Sequence, residues 1–252
     1  MSIDLSWNTE GTVATVSLNR PEALNAMTYE ALTEVAAAFQ AADAKGARII
    51  VLRGEGRSFC AGADRKKYPG FSSAEKDEGL AQHAIEVGIA LKRALMGTNA
   101  LTIAQLHGHV VGGGLVMGMC CDMRFVAEDA KLSLPELKLA LPLGWGALYR
   151  LIELVGTTRA WAMLAEFEEL SGAQSVQAGL CAAAFPADDL AGAVAARVAQ
   201  LLTIDPEALF LTKRQFRAIA ARASFGNIED LDGALLLGPL RGVNVREKFK
   251  GL

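Results

Sequence analysis

The chain has 252 residues, 52% apolar and 21% charged, which is enough to bury a large core without disulfide or metal staples and too apolar for intrinsic disorder. Lys plus Arg number 25 and Asp plus Glu 28, and this net charge of −3 excludes a general nucleic-acid or anionic-membrane surface. It leaves room for a small anionic ligand held by a local cluster. Cys60, Cys120, Cys121 and Cys181 form no Cys-x-x-Cys pair and read as reduced core thiols of a cytoplasmic protein. Met1-Ser2-Ile3-Asp4 lacks the basic-then-apolar pattern of a secretory signal. The uncharged run from Ala94 to Cys121 carries Thr98, Asn99, Gln105, His107, His109 and a glycine triplet, so strand, turn and buried helix are expected there rather than a membrane span.

In chain order, alternating Ala14, Val16 and Leu18 predict a strand ended by Asn19-Arg20-Pro21. Thr28 is placed to cap a helix whose Leu32, Val35, Ala36 and Phe39 recur at helical spacing, and Gly46 follows its end. Ile49-Ile50-Val51-Leu52 predicts a buried strand. The polar stretch from Arg65 to Glu78 reads as a loop or lid, and Leu80 to Met96 as a helix. Leu101 to Leu106 predicts a second buried strand, after which Gly112-Gly113-Gly114 opens a helix over Leu115 to Cys121. Further strands are expected at Met123–Val126 and Leu132–Leu134, and helices at Gly146–Leu154, Thr157–Leu164, Leu190–Leu202 and from Pro206 to about Arg222, with a last segment at Asp230–Leu236. Strand–helix units followed by helices alone predict an α/β core over residues 1–195 and a helical C-terminal region over 196–252.

Three segments carry possible chemistry. Glycines 112–114 let backbone approach a ligand closely and present free N–H groups at a helix start, although Met117 breaks a dinucleotide Gly-x-Gly-x-x-Gly pattern. Glu136, flanked by Leu134, Leu137, Leu139 and Leu141, is a carboxylate in apolar surroundings, whose pKa should rise toward the range useful for proton transfer. The third segment is Phe59-Cys60-Ala61-Gly62-Ala63-Asp64. His107 and His109 lack a third metal ligand, so no metal site is expected. Asp122 reads as a turn or cap residue.

Taken together, Leu18-Asn19-Arg20-Pro21-Glu22-Ala23-Leu24-Asn25-Ala26-Met27, Phe59–Asp64, Gly112–Gly114 and Pro135-Glu136 resemble, in order and spacing, the crotonase (enoyl-CoA hydratase/isomerase) superfamily. The resemblance implies an α/β, ClpP/crotonase-like spiral of strand–strand–helix units, with C-terminal helices that build a homotrimer or a hexamer of two trimers. It implies an acyl-CoA thioester substrate, with coenzyme A entering as part of that substrate and no separate cofactor. By motif position the N–H groups of Ala63 and Gly113 form an oxyanion hole and Glu136 is the catalytic acid/base. Asn25, Ala26, Ala61, Asp64, Arg65, Lys66, Gly112, Val116 and Trp145 line the substrate and CoA site, with Lys66 and Arg65 near the CoA phosphates and Trp145 shaping the acyl pocket.

One departure from the family pattern is informative. Family hydratases use two glutamates, and the first position is Val116 here. Valine neither holds a water nor exchanges a proton, so double-bond isomerisation by Glu136 alone is the expected reaction. The alternatives are hydration, or another thioester-enolate reaction, with a substitute acid from Tyr68, Glu75, Asp77, Glu78 or His83, and a catalytically weak acyl-CoA-binding protein. RNA binding, known in one family branch, is disfavoured because the helix over residues 28–43 carries Glu30, Glu34 and Asp43 and no Lys or Arg.

Overall fold

A strand flanked by parallel neighbours and covered on both faces must be apolar on both faces. The computed structural model, which describes residues 2–64 and 78–223, puts the chain's β-branched runs in that position. Strand β3 (Ile49–Gly54) lies between β2 (Val13–Leu18) and β4 (Leu101–Leu106), and Ile49, Ile50, Val51 and Leu52 are all buried. The sheet order is β1-β2-β3-β4-β6-β9, with β1 (Ile3–Trp7) antiparallel to β2 and every other pairing parallel. Strands β6 (Met123–Ala127) and β9 (Ala183–Phe185) complete it. The expected one-faced alternation in β2 is not what the fold uses, because Ser17 is buried beside Val16 and Leu18.

A second, smaller sheet runs β5-β7-β8, from His109–Val111, Lys131–Ser133 and Leu170–Ser171. Two turns of the spiral, β4–β5 and β6–β7, each add one long strand and one short strand. The turn β4–β5 ends in helix α3 (Gly113–Cys120), and β6–β7 leads to a short 3-10 turn at Glu136–Leu139. The turn after β3 contributes no full short strand, but Cys60 forms a parallel bridge to Val110 and ties residues 58–64 to the edge of the second sheet.

Helix α1 (Tyr29–Ala44) begins where expected, with the Thr28 hydroxyl accepting from Ala31 N–H at 3.2 Å. It packs against α2 (Glu78–Gly97). The two helices expected over 146–154 and 157–164 occupy Leu148–Ala165, labelled α4 as a whole, and Gly156, whose φ of 74° and ψ of 162° are not helical, separates them. Helix α5 (Gly172–Gln177) starts on a Ser171/Gln174 capping box. Helices α6 (Leu190–Leu202) and α7 (Pro206–Ala223) follow, and α6 runs through residue 195. Buried Lys213 of α7 pairs with Asp122 at 2.7 Å and donates to the Ala100 carbonyl, while the same Asp122 oxygen accepts from Thr102 N–H and Oγ1. Asp122 is therefore a docking residue for the last helix. The expected segment at 230–236 lies outside the described residues. Among the described residues no helix is long and apolar enough to cross a membrane.

Candidate functional site

Two backbone segments far apart in sequence are zipped together by their smallest residues. Cys60 N–H donates to His109 C=O and Val111 N–H to Cys60 C=O, each at 3.0 Å. A Cβ on Gly114 would meet the Cys60 carbonyl at 2.8 Å, so only glycine lets α3 start this close to residues 60–64. On the other side, Met27 bridges Ala63 in parallel: Met27 N–H donates to Gly62 C=O and Asp64 N–H to Met27 C=O, both at 2.8 Å. In such a bridge the N–H and C=O of Ala63 itself point away from Met27. No acceptor among the described residues takes the N–H of Ala63 or the N–H of Gly113, the first residue of α3. These are free donors in adjoining segments, and the second sits at a helix N-terminus.

Glu136 begins the 3-10 turn after Pro135 and aims at this helix start. Its Oε1 lies 3.0 Å from where a Gly112 Cβ would be, and its Oε2 is buried with no hydrogen-bond partner among the described residues. Gly112 adopts φ 53° and ψ −125°, a conformation that excludes side chains, and its own N–H is spent on Ser133 C=O at 2.9 Å. Burial pushes the Glu136 carboxyl up to about 7, with its own main-chain N–H partly opposing that rise. A carboxyl half ionised near neutrality both accepts and returns a proton readily.

The adjacent glycine faces a different group. A Cβ on Gly113 would meet Met27 Cε at 2.7 Å and Trp145 Cη2 at 2.8 Å. Glu136 and Trp145 therefore flank one dipeptide, the carboxyl on Gly112 and the indole on Gly113. Val116, one helical turn on, is buried and aliphatic.

The remaining expected residues divide between fold and site. Asn25 is buried, and its carboxamide is committed to the loop: Oδ1 accepts from Arg20 N–H at 2.8 Å, and Nδ2 donates to Glu55 C=O at 2.9 Å and Ser58 C=O at 2.8 Å. Asp64 pairs with Arg20 at 2.8 Å, and Arg20 also donates to Ala26 C=O at 2.6 Å. That clamp ties loop 20–26 to the segment bearing Ala63. Ala61 N–H donates to Leu24 C=O at 3.0 Å and joins the same two segments. Arg65, Lys66, Tyr68, Glu75 and Asp77 lie outside the described residues, as does the side chain of Glu78. His83 is exposed and stands edge-on to Tyr29, with ring centroids 5.4 Å apart. His107 bonds Gly56 C=O through Nε2 at 2.9 Å. His109 lines a surface depression with Arg57, Ser58, Asp129 and Lys131, and none of Glu136, Ala63 or Gly113 is in its walls.

Met27 stood in the recognised motif without an assigned role, and the residues gave no advance notice of Gly88, which seats Trp145, or of Lys92, which reaches the Gly146 carbonyl. The detectable signal was an isolated glycine inside the helical pattern of α2, which marks a close approach. The four cysteines are buried and free, and burial raises every one of their thiols, Cys60 to about 12, which disfavours the reactive thiolate. Among the described residues no group of three or more His, Cys, Asp or Glu is arranged to hold a metal ion.

The chain matches the enoyl-CoA hydratase/isomerase family over residues 8–230. It is 36% identical over 169 residues to the "Probable enoyl-CoA hydratase" of Bacillus subtilis, a stretch covering 67% of this chain and 64% of that protein. The structure of an enoyl-CoA hydratase/isomerase from Mycobacterium paratuberculosis superposes with a TM-score of 0.90 at 23% identity, over 100% of this chain and 98% of that one. A protein of Thermobifida fusca YX solved in complex with CoA matches with a TM-score of 0.78 at 28% identity, over 91% of each chain. The chain belongs to the enoyl-CoA hydratase/isomerase family and has the crotonase fold.

Proposed function

We propose that the protein is an enoyl-CoA isomerase, moving a double bond from the 3,4 to the 2,3 position of an acyl-CoA thioester. The observation that carries this reading is a buried carboxyl, Glu136, beside two N–H donors that no acceptor among the described residues takes. The thioester carbonyl accepts from Ala63 and Gly113. The Glu136 carboxylate removes a proton from C2, and the electron pair moves through the carbonyl to its oxygen. The resulting dienolate is stabilised most where its charge develops, and each preorganised donor there is worth ~3–4 kcal/mol. Because C2 and C4 are related 1,3 along the chain, one carboxyl group reaches both. Glu136 then returns its proton at C4, leaving the conjugated 2-enoyl thioester.

Hydration is the second reading, and the name of the Bacillus subtilis relative favours it. Against it stand Val116 and the indole of Trp145, apolar groups near the carboxyl where a second acid and an ordered water would be needed. The CoA complex of the Thermobifida fusca protein supports CoA-ester binding. Exposed apolar side chains on α4 and α7, Trp161, Phe216 and Ile219, support self-association through these helices.

The test is turnover of 3-enoyl-CoA and 2-enoyl-CoA by wild type and Glu136→Gln. Isomerisation should fall by roughly 10²–10⁴-fold in the variant. Unchanged isomerisation, or hydration alone in the wild type, refutes the assignment.

A further inference from the structure

We infer that Trp145 is a fixed end wall of the acyl pocket and restricts the protein to short acyl chains, such as butenoyl; this rests on the site reading above. The indole spans from α2 to the start of α3. A Cβ on Gly88 of α2 would meet Trp145 Nε1 at 1.9 Å and Cδ1 at 2.1 Å, so the ring lies directly on the glycine backbone. Its far edge, Cζ3 and Cη2, lies against Gly113, the residue whose N–H is a candidate oxyanion donor. The ring therefore fills the space between those helices beside the reacting carbonyl.

Its position is enforced rather than merely permitted. Trp145 has φ 60°, a left-handed conformation disfavoured for a residue with a bulky side chain, and Gly146 follows with φ 63°. One stripe of α2 holds this segment. Gly88 seats the ring, and one turn on the buried Lys92 ammonium reaches the Gly146 carbonyl at 3.5 Å and lies 5.0 Å from the centre of the Tyr149 ring. A further turn on, Met96 Sδ accepts from the Tyr149 hydroxyl at 3.6 Å. Residues 88, 92 and 96 thus grip 145–149 along a single helix face.

The geometry of the substrate does the rest. With the carbonyl at Ala63 and Gly113 and with C2 and C4 at Glu136, the chain must leave C4 past the Gly112-Gly113 dipeptide. Glu136 occupies one side of it, and Met27 and Trp145 the other. Carbon atoms beyond C4 meet the indole, and a rigid apolar wall discriminates against added methylenes by ~10-fold or more.

The experiment is calorimetric binding of saturated butyryl-, octanoyl- and lauroyl-CoA to full-length wild type, Trp145→Ala and Trp145→Phe. These thioesters carry no double bond to move, so the readout does not depend on turnover. Wild type should bind butyryl-CoA at least ~10-fold more tightly than octanoyl-CoA, Trp145→Ala should abolish or invert that ratio, and Trp145→Phe should fall between. If Trp145→Ala does not fold, Trp145→Phe decides. A wild type that binds octanoyl-CoA as tightly as butyryl-CoA, or a folded variant with the wild-type ratio, overturns the wall and leaves the isomerase reading standing. Failure to bind any thioester overturns both. The expected ratios in a protein without isomerase turnover uphold the wall and remove only the reaction.

Discussion

Replacing Glu136 with glutamine should change how stability depends on pH, whatever the reaction is. The folded state holds the carboxyl proton up to about pH 7, because burial disfavours the anion. The unfolded chain releases it near the ordinary value of 4.5. Between those pH values the unfolded state binds fewer protons than the folded state, so stability falls as pH rises, by about 1.4 kcal/mol per pH unit. Above the folded value the loss is complete and amounts to about 3 kcal/mol. Glutamine has the same shape and no proton to lose. It also places a buried amide where Oε2 has no partner, a cost that does not vary with pH. The informative quantity is therefore the change in the variant's stability relative to wild type between pH 5 and pH 8. It should favour the variant by roughly 2–3 kcal/mol at the higher pH, or roughly 5–10 °C in melting temperature for a chain of this size. Thermal melts of both proteins at one fixed concentration read it directly. Parallel stability curves across that window would show that the carboxyl titrates as it does in water, and the raised pKa on which the proton-transfer argument depends would be gone.

Two further outcomes follow from the packing. Gly112→Ala forces a side chain into a conformation reserved for glycine and against Glu136 Oε1, so it should cost ~1–3 kcal/mol of stability and lower isomerase turnover by more than ~10-fold; melts with parallel assays check it, and wild-type turnover in this variant would place the carboxyl elsewhere. Trp161, Phe216 and Ile219, exposed to 62%, 72% and 67%, should be covered in an assembly, so sedimentation of the purified protein should give a trimer or hexamer, and a monomer at micromolar concentration would refute that reading.

The parts of this fold that were readable in advance are those governed by local chemistry. Helix α1 announced itself by a cap at Thr28 and an apolar stripe, and β3 by a β-branched run, because neither depends on what packs against it beyond being apolar. Strand β1 was missed although Ile3, Leu5 and Trp7 alternate; the other strands that escaped notice, β5, β8 and β9, have three, two and three residues. Elements so short have no periodicity to detect, and they exist because the spiral brings backbone edges together. The same division holds at the site. Glu136 was visible as a carboxylate among leucines, and Arg20 and Met27 stood in the recognised motif; that Arg20 reaches Asp64, Met27 bridges Ala63 and Lys92 reaches Gly146, 44, 36 and 54 positions away, is knowledge only the topology supplies.

That division also explains why a single substitution in the family pattern carries so much weight. The proposed oxyanion donors are main-chain groups, so their placement follows from glycine spacing and strand register and says little about the reaction. The reaction is decided by which side chains face the stabilised enolate. Among the described residues, the side chains around the Gly112-Gly113 turn are a carboxyl raised toward neutrality, a valine, a methionine methyl and an indole. On the proposed mechanism, apolar walls strengthen the two N–H bonds to a developing oxyanion by excluding water, and the same exclusion disfavours hydration. On the isomerase reading proposed above, such a site moves a proton from one carbon to another, and among the described residues no second acid stands ready to hold a water. The chemistry proposed for Glu136 and the chain-length limit assigned to Trp145 are thus two consequences of one choice, apolar side chains where a second acid and its water would otherwise stand.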